Sequence, residues 1–281
     1  MRWERGNRYG GVEDRRGIRS GGVAGGGIGL VAVALAGYFF FGINPLTILE
    51  IGNGLTPTSQ EQGRAGTPGD QAGAFIDTIV SSTTDVWSAE IQGYRAPTLV
   101  LYEQATGTQC GTGQSAMGPF YCPLDQQVYL DLQFFEELST RFGAPGDFAQ
   151  AYVIAHEVGH HVQHLLGTDE KMRRGQSQAG SRAEANRLSV ALELQADCYA
   201  GLWASRAAAV SGGAVALEPG DLEEGVRAAS AVGDDTLQQQ SQGRVVPDSF
   251  THGSAEQRRE WLLRGYMSQN AQACDTFGAA R

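Results

Sequence analysis

The sequence predicts an α+β domain, mainly helical with a small β-sheet, preceded by one transmembrane helix. Three observations carry this expectation. A long uncharged run lies near the N-terminus, two short segments with strand character follow the glycine-rich stretch after it, and the remaining half carries four helix starts with N-capping patterns.

The uncharged run is Gly21–Ile43, GGVAGGGIGLVAVALAGYFFFGI. Its 23 residues are long enough to cross a bilayer as a helix. Residues 1–20 hold Arg2, Arg5, Arg8, Arg15, Arg16 and Arg19 against Glu4, Glu13 and Asp14. A basic flank stays in the cytoplasm, which would place the chain after Ile43 outside it, anchored in the cell membrane by a single pass. A cleaved signal peptide ending at Ala34-Leu35-Ala36 is the alternative, but the apolar run continues past it through Phe41. A nucleotide loop at GGGIG has no strand and polar helix around it. The expected organisation is a basic tail (1–20), a signal anchor (21–43), a flexible linker (44–73) and one extracytoplasmic domain (74–281).

The formal charge of −10 argues against a broad basic face for nucleic acid. All four cysteines (Cys110, Cys122, Cys198, Cys274) follow the apolar run and none forms a CxxC pair. Two disulfides are the simplest reading, Cys110 with Cys122 and Cys198 with Cys274; four buried thiols are the other.

Within the domain, AFIDTIVSSTTDVWSAEI has apolar residues every three or four positions and predicts a helix from near Ala74. Pro97–Tyr102 and Gln127–Leu132 read as strands, with Val128, Leu130 and Leu132 on one face and Tyr129 and Asp131 on the other. The edge of Gln127–Leu132 could take up an extended peptide by strand addition. Helices are then expected to open at Asp147/Gln150, Ser181/Glu184, Asp221/Glu224 and Ser254/Gln257.

The first of these helices carries His156-Glu157-Val158-Gly159-His160, an HExxH pattern. Residues at i and i+4 share a helix face, so two imidazoles can meet one ion, while Glu157 can reach a water there without being a ligand. The pattern arises by chance in roughly one chain in a hundred of this length. A catalytic zinc site needs a third protein ligand and an open position. His164 is in line with His160, and three donors along one straight helix cannot converge; His161 is off the ligand face. The better donor is Glu193, with Asp197 one turn later placed to accept the other ring N–H of a liganding histidine. His252 is a candidate donor to a developing oxyanion, with Arg258 behind it.

These residues sit in GPFYCPLDQQVYLDL, FGAPGDFAQAYVIAHEVGHHVQ, LELQADCYAGLWA, LEPGDLEE and GRVVPDSFTHGSAEQR. Together they resemble the bacterial neutral zinc metallopeptidases over roughly residues 75–278. More distantly, HExxH with a later ExxAD and a final TH–G element is similar to the membrane-associated zinc proteases that include heat-shock protease X and the CaaX prenyl proteases. The resemblance implies a zincin-like, gluzincin-type metalloprotease domain with one Zn²⁺ per chain, His156, His160 and Glu193 as ligands and Glu157 as catalytic base. With one membrane segment, an intramembrane catalytic chamber is not expected. The expected activity is hydrolysis of a peptide or protein substrate. Two alternatives are a zinc-binding envelope scaffold without turnover and a zinc amidase acting on cell-wall peptides.

Overall fold

The computed structural model describes residues 1–17 and 63–278. A five-stranded sheet has the order β2-β1-β3-β7-β6. Its strands are β1 (Val12–Asp14), β2 (Arg64–Ala65), β3 (Thr98–Tyr102), β6 (Phe120–Cys122) and β7 (Gln127–Asp131); β4 (Ala105–Thr108) and β5 (Gly111–Gln114) form a separate hairpin. The three central strands β1, β3 and β7 run parallel, and β2 and β6 flank them antiparallel. Parallel strands covered on both faces read as continuous apolar runs, as in TLVLY of β3. Leu99, Leu101, Val128 and Leu130 face the main core, whereas Val100, Tyr102, Tyr129 and Cys122 form a second cluster on the other face.

The structure departs from three expectations. The strand Gln127–Leu132 is not an edge: β7 lies between β3 and β6, and β6 is the outer strand. The α+β domain is also not preceded by a transmembrane helix among the described residues, none of whose helices is long and apolar enough to cross a membrane. Gly21–Ile43, on which that expectation rested, lies outside the described residues. The arginine-rich start, read as a tail apart from the domain, is built into it. β1 pairs with β3, Arg15 is buried against Glu13, Thr106 and the Gly107 carbonyl, and Arg16 binds Asp14 and Asp70. The interleaved acids Glu13 and Asp14 give the Arg15 and Arg16 guanidiniums near partners, so this strand can fold in at small desolvation cost.

Eight helices are described: α1 (Gln71–Glu90), α2 (Gln133–Thr140), α3 (Asp147–Leu165), α4 (Thr168–Gln178), α5 (Arg182–Val210), α6 (Asp221–Ala231), α7 (Asp234–Gln242) and α8 (Ala255–Ser268). Ser181 caps α5 through the Glu184 N–H, and Ser254 with Gln257 closes a capping box on α8. At α3 and α6 the expected caps are replaced by glycines, Gly146 and Gly220. Asp147 and Asp221 then lie in the first turns, where both accept from the amino group of Met1.

α3 is the central helix. It packs on α1, α5 and α6 and on β6 and β7, which explains why AYVIA is buried on all sides. Gly159, inside HExxH, allows its crossing with α5. A Cβ there would meet the Ala196 Cα and carbonyl oxygen at 3.2 Å. α5 crosses α8 more closely still, at Gly201 and Gly265. These two crossings bring α3, α5 and α8 to one point.

Candidate metal centre

At that point His156 and His160 of α3 face Glu193 of α5. The His156 Nε2 is 3.2 Å from Glu193 Oε2, and the His160 Nε2 is 3.5 Å from Glu193 Oε1. One donor atom from each residue lies within 4.8 Å of the other two. Ligands about 2.0–2.2 Å from a tetrahedral zinc stand about 3.3–3.5 Å apart, so the set fits that ion. Two imidazoles and one carboxylate also leave a fourth position open, the composition of a catalytic zinc site.

Each histidine is held by its other nitrogen. His156 Nδ1 lies 2.8 Å from Asp197 Oδ1. Asp197 is fully buried and gripped in bidentate fashion by Arg258 of α8, both bonds 2.9 Å, while the Tyr152 hydroxyl donates to Oδ1 at 2.5 Å. Burial would raise the Asp197 carboxyl, but Arg258 and His156 bring it down to about 2. Asp197 therefore accepts the Nδ1 hydrogen and fixes the ring so that Nε2 of His156 faces Glu193. Arg258 is thus occupied in positioning and does not stand free as an oxyanion donor.

His160 is held differently. Its Nδ1 donates to Gln163 Oε1 at 2.8 Å, and the Gln163 amide donates to the Leu192 carbonyl at 2.7 Å and to Gln195 Oε1 at 3.1 Å. Burial opposes a proton on either imidazole, but it is outweighed by Asp197 and Glu193 at His156, held at about 10, and chiefly by Glu193 at His160, also raised. The same negative field favours a cation at the two Nε2 atoms.

Glu157 is buried beside them; desolvation raises its carboxyl, opposed by the two histidines. His252 reaches the site from the loop before α8. Burial lowers its pKa, but Glu193 and Asp234 carry it above the ordinary value. Asp234, at the start of α7, shapes this loop by accepting from the N–H groups of Thr251, His252 and Gly253. His161 points elsewhere: its Nε2–H donates to the Arg95 carbonyl at 2.6 Å, its Nδ1 accepts from the Tyr121 hydroxyl, and burial lowers its pKa to about 4. His164 pairs with Asp169 at 2.9 Å. Both pairs of cysteines, Cys110–Cys122 and Cys198–Cys274, are disulfide-bonded.

Tyr152, Gln163, Gln195 and Asp234 were not singled out by motif. Tyr152 stands at i−4 from His156 and Gln163 at i+3 from His160, so helical spacing from the ligands was the available signal. A further acidic group, Asp147, Asp221 and Glu224, has metal-like spacing. The Met1 amino group binds there, 2.7 Å from Asp147 and 3.2 Å from Asp221.

Two crossing helices presenting HExxH and a distant glutamate define a metallopeptidase-type metal centre. The chain belongs to the family described as "Putative neutral zinc metallopeptidase", which it matches over residues 1–277. It is 49% identical over 296 aligned residues to the uncharacterised protein YpfJ of Escherichia coli (strain K12), covering 99% of each chain. It is 45% identical over 223 residues to the uncharacterised protein Rv2575 of Mycobacterium tuberculosis (strain H37Rv), covering 75% of this chain and 74% of that one. No solved structure matches the chain.

Proposed function

We propose that this chain is a zinc-dependent peptidase that hydrolyses peptide bonds, with His156, His160 and Glu193 as ligands to one zinc ion. The observation that carries the reading is the convergence of these three side chains beside a buried glutamate that is not among the ligands. His156, His160 and Glu193 would hold the zinc, which would supply Lewis-acid chemistry to a substrate carbonyl and to water.

The remaining roles fall to the protein. Glu157, whose carboxyl burial makes more basic, takes the proton from water and passes it to the leaving amine. His252, whose pKa Glu193 and Asp234 raise against burial, donates to the developing oxyanion. Asp197 and Gln163 keep the imidazole tautomers fixed through the cycle. Among the described residues β6, which packs against α3, is the outer strand of the sheet, and an extended peptide would lie along its outer edge. Two disulfides support placing the domain outside the reducing cytoplasm.

The test is hydrolysis of a mixed peptide library by the full chain, together with its zinc content. The wild type should carry one zinc and cleave. Glu157→Gln should keep the zinc and lose at least about 100-fold in kcat/KM, within the usual contribution of a general base. Zinc-replete wild type that cleaves nothing would overturn the peptidase reading and favour the scaffold. Unchanged turnover in zinc-bound His252→Ala would remove His252 from the mechanism.

A further inference from the structure

The two histidines of the metal centre rest on different chemistry. His156 leans on a charged group, Asp197 with Arg258, whereas His160 leans on a line of neutral amides. From Gln163 the line passes to Gln195 Oε1 at 3.1 Å, and the Gln195 amide donates to the main-chain carbonyl of Cys274 at 2.9 Å. Gln163 and Gln195 are both buried.

The line has one direction. A main-chain carbonyl only accepts, so Gln195 presents its NH₂ to Cys274 and its oxygen to Gln163. Gln163 in turn presents its NH₂ to Gln195 and to the Leu192 carbonyl, and its oxygen to His160. His160 must then carry its proton on Nδ1, which leaves the Nε2 lone pair for a metal. Two carbonyls set this sense, those of Leu192 on α5 and of Cys274.

Cys274 belongs to no long element: it ends the short 3₁₀ turn Ala271–Cys274 beyond α8. It is held by the disulfide to Cys198, in an apolar cluster with Trp87, Val162, Tyr199 and Leu202, and by Thr276, whose hydroxyl donates to the Ala191 carbonyl. Cys198 follows Asp197 directly, so the disulfide fastens this turn to the helix that carries Glu193 and Asp197.

We propose that Gln163 and Gln195 are positioning residues for His160 and that the Cys198–Cys274 disulfide is their anchor, so that the centre holds zinc more tightly with this disulfide formed than without it. The inference rests on the zinc reading above. Zinc retention then depends on prior oxidation of Cys198 and Cys274, and the disulfide at Cys110–Cys122, far along the chain in the β4–β6 region, has no part in it.

The test is the zinc dissociation constant of the full chain, measured by competition with a chromogenic chelator at a temperature where circular dichroism shows each variant folded. The visible spectrum of the cobalt(II)-loaded protein is a second readout. Gln163→Leu should weaken zinc about 10–100-fold, the usual cost of losing the partner of a metal-bound histidine. Gln195→Leu and the pair Cys198→Ser/Cys274→Ser should each weaken it about tenfold and alter the cobalt spectrum. Combining them should add little, because they act along one line. Cys110→Ser/Cys122→Ser should bind as the wild type does. Wild-type affinity in Gln195→Leu, or in a folded Cys198→Ser/Cys274→Ser, would overturn the proposal while leaving the zinc site in place. Should the cysteine variant not fold, Gln195→Leu decides alone. A wild type that binds no zinc would overturn the zinc reading itself, and this inference with it.

Discussion

Arg258 shows how much of the centre depends on a residue outside the ligand set, which reaches His156 Nδ1 at 3.4 Å. It is buried, it binds both oxygens of Asp197, and it contacts the Tyr152 hydroxyl at 3.1 Å. Removing one partner of a buried ion pair leaves the other charge desolvated and uncompensated. Arg258→Met should therefore cost about 3–5 kcal/mol in urea unfolding. Arg258→Lys should recover only part, since an ammonium cannot reproduce the bidentate grip. A loss below about 1 kcal/mol in Arg258→Met would show that Asp197 does not need this partner. The HExxH histidines were legible because helical spacing alone puts them together. Arg258 was not: it stands 61 residues from Asp197 and 102 from His156, and no local pattern joins positions that far apart. Its sequence setting suggested a donor toward substrate, whereas its burial assigns it to Asp197.

At the scale of elements, the centre depends on how closely α3 can approach α5. The Ala196 backbone and side chain stand 3.2–3.3 Å from where a Cβ of residue 159 would be, tighter than ordinary van der Waals contact. Gly159→Ala therefore requires a shift of a few tenths of an ångström, and Gly159→Val a larger one that separates His156 and His160 from Glu193. Overpacking of this kind costs about 1–3 kcal/mol. Gly159→Val should lower the unfolding free energy by that amount and weaken zinc binding measurably. Unchanged zinc affinity in folded Gly159→Val would show that the ligand geometry tolerates the separation. The helices themselves were readable, since apolar periodicity and the Ser181 and Ser254 caps are local signals. Strand order was not. Alternation along Gln127–Leu132 reports which faces its side chains take and not whether its edge is paired, and the pairing strand β6, Phe120–Cys122, is only three residues long, too short to announce itself.

For the whole molecule, the N-terminal segment joins the two halves of the fold. β1 completes the parallel part of the sheet, and the Met1 amino group sits between Asp147 of α3 and Asp221 of α6, so the chain start touches the helix that carries HExxH. Such a segment reads as a solvated basic tail because its strand is three residues long and its arginines outnumber its acids. Only tertiary pairing turns those charges inward. The amino group also makes this contact testable by pH. Burial lowers its pKa, but Asp147 and Asp221 outweigh burial and raise it above 8.0. A group whose folded pKa exceeds its unfolded value contributes stability below the unfolded pKa and loses it as pH rises through the folded one. The contribution is thus complete below pH 8.0 and fades above it. Other groups titrate in the same range, so the comparison is a difference: unfolding midpoints of the chain and of a form acetylated at Met1, from pH 7 upward. The acetylated form should be the less stable at pH 7, and the gap should close as the pH climbs past 8. A gap that stays constant across this range would mean that acetylation acts through shape at the α3–α6 junction and that the ammonium charge contributes nothing there.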